Sequence, residues 1–163
     1  MSIAEAAMIP ERIELYLKDH HLPYVHSMHV RAISAQRFAA AEHVPGDRIA
    51  KPVVVSVDGT LALAVVSATQ HVDVEELRGA LGARRVLLAP EQTFEGRFAP
   101  CEVGAEPPLR LFGLPLYVDA ALARSPSIVM RGGTHEDAIE LDTVAWLHSE
   151  GAIPVENLGR WYA

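Results

Sequence analysis

The alternation of apolar and polar positions divides the chain into short helices and strands. Ile9, Ile13, Tyr16 and Leu17 recur at helical spacing and predict an amphipathic helix over residues 4–19, stopped at Leu22-Pro23. Tyr24 to His29 reads as a strand. Ser34 can cap a helix running to about Val44, where Pro45-Gly46 closes it. Val53–Val57 is a β-branched, apolar run, and Asp58-Gly59 turns it into Leu61–Val66, a hairpin signal. Asp73 opens a D-x-x-E capping pattern with Val74, Leu77 and Leu81 inward, ended by Gly82. Arg85–Leu88 is a short strand, and Pro90 suits a first helical position.

Further on, Leu116–Val118 predicts a strand followed by a short helical turn capped by Asp119. Ser127–Arg131 and Ala138–Leu141 are strands separated by Gly132-Gly133, and Asp142 caps a last helix to about Ser149. From Gly151 the chain reads as a tail that docks through Trp161 or frays. Strand pairs joined by tight turns outnumber strand–helix–strand crossings. The expected fold is therefore a single α/β domain over residues 1–163. Its central sheet is mixed and mainly antiparallel, flanked by helices. Between the strands lies CEVGAEPPLRLFGLPLYVD, residues 101–119, which is rich in Gly and Pro yet apolar where solvent loops carry Ser, Asn and Asp.

Composition narrows the class. At 163 residues, half of them apolar and 21% charged, the chain has the material for one sizeable core. No apolar run reaches the roughly 20 residues of a membrane span, and the acidic start is unlike a signal peptide. One cysteine, Cys101, leaves no internal disulfide and fits a reducing compartment, so a cytoplasmic location is expected. The net charge of −7 argues against a broad duplex-DNA surface but allows a pocket for a single nucleotide or acyl ester. The 14 basic residues include only two lysines, Lys18 and Lys51.

Several motifs are weighed against blander readings. His20, His21, His26 and His29 are separated by a helix end, a turn and a strand, so structural histidines are favoured over a metal site. Cys101 lies in no nucleophile signature, which favours a structural thiol. Phosphate-binding and nucleophile-elbow motifs are absent. Lys51 enters the apolar strand at Pro52. It is either a strand-end lysine reaching water or a partly desolvated cation seeking a phosphate or carbonyl. Gly104-Ala-Glu-Pro-Pro108 is either a rigid surface turn or a stiff wall that brings backbone close to a ligand. Gly132-Gly133-Thr-His135 is a turn whose histidine can line a pocket.

Taken in order, these pieces resemble the YbaK/prolyl-tRNA synthetase-associated editing-domain family of aminoacyl-tRNA deacylases. The matching features are His29 with Ser34-Ala-Gln36, Val44-Pro-Gly46, and Ile49-Ala-Lys51 entering a valine strand. They continue with Asp73–Leu77, Gly104-x-x-x-Pro108 and Gly113-Leu-Pro-Leu-Tyr-Val-Asp119, over roughly residues 22–148. The resemblance implies hydrolysis of the ester between a mischarged amino acid and the 3′-terminal adenosine of tRNA, with no cofactor, metal or covalent nucleophile. It implies Lys51 and Gly104 as catalytic residues. His29, Ala105, Pro107, Pro108, Arg110, Gly133 and His135 are expected around the substrate. The implied partners are the acceptor end of mischarged tRNA and a synthetase or elongation factor. Leu109-Arg110 departs from the Phe-Gly common in relatives. That departure carries a second expectation, a binding module for the aminoacyl-adenosine end that has lost turnover.

Overall fold

The structure is a computed structural model and describes residues 9–162. The first helix, α1 (Glu11–Asp19), buries Ile13 and Leu17 and is shorter than the predicted span. Residues 4–8 of that prediction lie outside the described residues. Ile9 precedes Pro10, and a residue before proline is held extended, so the helix begins after it. Strand β1 (Tyr24–Met28) ends one residue before His29. Helix α2 (Ala35–Glu42) starts as expected, with the Ser34 hydroxyl accepting from the Arg37 N–H. It stops at His43, which adopts a left-handed conformation.

Strands β2 (Ala50–Val57) and β3 (Thr60–Ser67) form the predicted hairpin. Asp58 and Gly59 both take positive φ, as the favoured two-residue turn demands. β2 begins earlier than the valine run and passes through Lys51 and Pro52. Proline is tolerated there because the outer neighbour of β2, β5 (Val86–Leu88), pairs only with Val55–Val57. Lys51 thus sits on an open stretch of strand edge. A short β4 (Gln70–Val72) and α3 (Val74–Leu81) follow, the latter capped by Asp73 and closed by Gly82. Pro90 leads into a single 3-10 turn, Glu91–Thr93, in place of the expected helix start.

The second half adds β6 (Leu116–Asp119), α4 (Ala120–Ala123), β7 (Ser127–Arg131), β8 (Asp137–Asp142) and α5 (Thr143–Glu150). The tail contributes two strands. β9 (Ile153–Val155) pairs parallel with β6, and β10 (Gly159–Trp161) pairs antiparallel with β4. Its anchors are Val155 and Leu158; Trp161, the expected anchor, is 64% exposed. Leu158 wins because it reaches the cluster beneath α3 whereas Trp161 projects from the strand.

The main sheet has the order β5-β2-β3-β6-β9, and a second sheet runs β1-β8-β7. The β3–β6 and β6–β9 pairs are parallel and the others antiparallel, which makes the expected mixed, helix-flanked α/β architecture. β3 is buried on both faces, and this accounts for its continuous apolar run. Leu63 and Val65 join Ile13, Leu17, Val118 and Trp146 in the larger core. Ala62, Ala64 and Val66 face Leu77 of α3. A third cluster, around Phe38, Ile49 and Val129, ties α2 to the junction of the two sheets, where Ile49 bridges to Val129. That junction positions the candidate site.

Candidate active site

A pocket of about 150 Å³ opens where β2, the start of α2 and the end of β7 meet. Ile33, Phe38, Ile49, Lys51, Gly104 and Arg131 line it, with Ala35, Ala50 and Pro52. Lys51 and Gly104 are more than 50 residues apart in the chain, and the fold brings them to one wall. The walls are apolar and the charged groups are two cations. No carboxylate is among the lining residues.

Lys51 is half-buried, with its Nζ donating to the Gln70 carbonyl at 2.5 Å and to the Tyr162 hydroxyl at 3.2 Å. The ammonium also lies 5.3 Å from the centre of the Tyr162 ring. An ammonium has three donors, so one remains for a ligand. Gln70 opens β4 and Tyr162 directly follows β10, a pairing that sequence patterns did not reveal because each strand is three residues long.

Gly104 has φ +81, a conformation that favours glycine, and its segment is pinned to the turn after β7. The Glu102 N–H donates to the Gly133 carbonyl at 2.8 Å, and the Gly133 N–H to the Ala105 carbonyl at 3.0 Å. The His135 N–H donates to Glu102 Oε1 at 2.8 Å, and its Nε2 lies 2.9 Å from the Val103 carbonyl. Since a carbonyl only accepts, Nε2 carries the proton, which leaves Nδ1 buried and without a partner among the described residues. Gly133 is tight for a second reason. A Cβ there would stand 2.7 Å from the Pro10 ring.

The other expected site residues divide. His135 braces the Gly104 segment from behind, and His29 in turn braces His135. The His29 Nε2 lies 3.1 Å from the His135 carbonyl, its Nδ1 is 2.5 Å from Glu42 Oε2, and its ring packs on Phe38. Ala105, Pro107 and Pro108 are buried, and the Pro108 carbonyl accepts from the Trp146 indole at 2.9 Å. They anchor the segment in the core and do not line the pocket. Nor does the structure bring Arg110 to it. A 3-10 turn at Arg110–Phe112 sends that exposed side chain toward Gly151, while its backbone N–H donates to the buried Glu150 carboxylate at 2.8 Å.

Arg131 is the pocket residue that sequence reasoning missed. It is 7% exposed, donates to the carbonyls of Ala32, Ile33 and Ser34, and stacks over Phe38 at 4.6 Å. Burial draws its guanidinium down to about 10, against the attraction of Glu106 and Glu102. An arginine closing an otherwise apolar strand was the available signal. Glu102 and Glu106 differ in kind. The His135 N–H and Arg31 hold Glu102 below the usual carboxylate range, whereas burial pushes Glu106 above it. Cys101 is pushed up to about 12, first by burial and then by Glu106, so its thiol is a poor nucleophile.

Among the described residues, no group of three or more His, Cys, Asp or Glu side chains is placed to hold a metal ion. In the early histidine cluster His20 stacks on Tyr16, while His26 and His29 pair with Asp137 and Glu42.

The fold and site define an α/β domain whose small apolar pocket carries a lysine at its rim and a glycine-loop wall. Residues 29–148 match the family described as the aminoacyl-tRNA editing domain, and the chain belongs to that family. Among solved structures, a candidate trans-editing enzyme for prolyl-tRNA synthetase superposes with a TM-score of 0.74 at 23% identity, covering 92% of this chain and 98% of that one. Hypothetical protein APE2540 gives 0.79 at 20% identity, covering 91% and 99%. A scaffold protein used for computational epitope grafting gives 0.77 at 20% identity, covering 96% and 99%. At these identities the likeness concerns the fold. No curated protein matches the chain by sequence.

Proposed function

We propose that the protein is a trans-acting aminoacyl-tRNA deacylase that hydrolyses the ester of mischarged tRNA in the cytoplasm. The observation that carries this reading is the convergence of Lys51 and Gly104 on one pocket, within a chain of the editing-domain family. The acyl side chain enters between Ile33, Phe38 and Ile49, where about 150 Å³ admits only a small apolar group. Packing of this kind sorts side chains by size, with limited discrimination per methylene.

Lys51 directs its remaining N–H to the ester carbonyl or to the terminal phosphate, where charge-assisted hydrogen bonds are strong. Arg131 gives three of its five N–H donors to backbone carbonyls, so it shapes the Ile33 wall and adds positive potential. A water, activated by the ribose hydroxyl of the substrate itself, attacks the carbonyl held against the Gly104 wall while Lys51 stabilises the developing oxyanion; the acyl–oxygen bond then breaks, and the ribose oxygen leaves with the proton that the water gives up. The chain's net charge of −7 suits recognition of the acceptor end alone, with a synthetase or elongation factor supplying further affinity.

The alternative of a binding module without turnover rests on Arg110 crowding the pocket, and Arg110 is not among its lining residues. The deciding measurement is release of amino acid from a panel of mischarged tRNAs by wild type and Lys51→Ala. Hydrolysis by wild type and its loss in the variant are expected. A silent wild type across the panel, or a fully active Lys51→Ala, would overturn the proposal.

A further inference from the structure

Gly104 also lines a second cavity, of about 160 Å³, which the proposed hydrolysis leaves unused. Phe94 and Phe98 form its apolar wall, with their rings edge to face at 5.9 Å. Glu91, Glu95, Glu102 and Glu106 are the acidic residues of its lining, and no Lys, Arg or His is among the lining residues. The two cavities that meet at Gly104 therefore have opposite character, cationic on the Lys51 side and anionic on the other.

Glu106 sets this cavity apart from an ordinary acidic surface. It is 8% exposed, and its carboxylate makes no salt bridge and no side-chain hydrogen bond among the described residues. Glu102, by contrast, is held by Arg31 and the His135 N–H. Burial raises Glu106; its own N–H, that of Gly104 and the more distant Arg131 guanidinium offset this only in part. A buried carboxylate facing a cavity without a cation is costly to keep charged, and a ligand that brings the missing charge removes that cost. Aromatic faces beside carboxylates suit an organic cation in particular.

We propose that this second cavity binds the primary ammonium group of a small organic cation. The ammonium belongs either to a free amine or to the α-amino group of an aminoacyl ester in the neighbouring pocket. The second source rests on the deacylase function proposed above, and the first does not.

Ethylammonium, with ethanol as its neutral match, is titrated into the full chain while the Gly104 amide and the Phe94 and Phe98 ring signals are followed by NMR. Ethylammonium is expected to shift all three saturably at millimolar concentration and ethanol to leave them in place. Glu106→Gln is expected to weaken binding about tenfold, the scale of one lost charge-assisted bond. Lys51→Ala is expected to bind as wild type. Because Glu106→Gln can perturb packing, the same titration of wild type across pH is a second measurement. Affinity rises with pH as Glu106 loses its proton, with Glu91, Glu95, Glu102, Cys101 and Arg131 as the other ionisable groups around it.

Equal responses to ethanol and ethylammonium, or an affinity indifferent to both Glu106→Gln and pH, would overturn the site. The source is decided with one mischarged tRNA and its N-acetylated form. Loss of the preference for the free amine in Glu106→Gln identifies the α-ammonium, and an unchanged preference alongside lost ethylammonium binding identifies a free amine. If no tRNA is hydrolysed at all, the deacylase reading falls, while the ethylammonium titration still decides the cavity.

Discussion

Residues 101–106, CEVGAE, and 107–113, PPLRLFG, are two halves of one continuous loop, and the fold uses them differently. The first half hangs from the turn after β7 through four hydrogen bonds and presents Gly104 to both cavities. The second half is driven into the core. Leu109 is fully buried, Trp146 holds the Pro108 carbonyl, and the buried Glu150 receives the Arg110 N–H. One continuous loop thus gives a ligand wall in one half and an anchor in the other. What differs is the partner of each backbone group.

Each half of the loop can be perturbed separately. The largest expected effect is that of Lys51→Ala, which faces the wall from β2. It should lower kcat/KM for deacylation by about 100-fold or more, the scale of one lost oxyanion donor, with little change in Tm because the side chain is half-buried. Gly133→Ala should attack the hinge of the first half. The added Cβ would meet Pro10 at 2.7 Å at a residue with φ +96, and thermal unfolding should report a loss of about 3 kcal/mol. Trp146→Phe, the equivalent blow to the second half, leaves the buried Pro108 carbonyl unpaired. It should cost about 2 kcal/mol in chemical denaturation while preserving KM below the melting transition.

Smaller effects should sharpen the contrast. Gly104→Ala has open space for its Cβ, with His135 Cε1 at 3.8 Å, so only the positive φ resists it. About 1 kcal/mol of stability is expected to go, and activity should fall further than stability implies, because the wall itself shifts. Glu106→Gln should raise Tm near neutral pH and leave it unchanged in acid. A carboxyl raised by burial contributes its stability below the unfolded pKa and loses it as pH rises through the folded one, so the gain belongs to the high-pH side. Arg110→Gly should be the mildest, changing deacylation less than twofold, since the backbone and not the side chain makes the Glu150 bond.

Local chemistry carried most of the elements. The Ser34, Asp73 and Asp142 caps and the Asp58-Gly59 turn stand where the residues demand, because each is settled within four residues. Lys51 and Gly104 were legible as candidates for the same reason, being unusual residues in their immediate surroundings. The helix start at Glu11 and the entry of β2 through Pro52 moved from their expected places because proline acts on its neighbours and on strand pairing. The tail was not legible. Three-residue strands have no periodicity of their own, and β9 and β10 exist because β6 and β4 offer edges to them.

By itself, then, the sequence determined the α/β class, the caps and turns, and the two residues that meet in the first pocket. Only the tertiary structure decided which side chains face a cavity. Arg131 is drawn into one by three carbonyls of the segment before α2, and Arg110 is turned from it by its own 3-10 turn. Tyr162 meets Lys51 through a strand pair 90 residues apart in the chain, and burial pushes the Glu106 carboxyl above the usual carboxylate range. Contacts of that kind depend on long-range packing, which short-range patterns of hydrophobicity and capping do not encode.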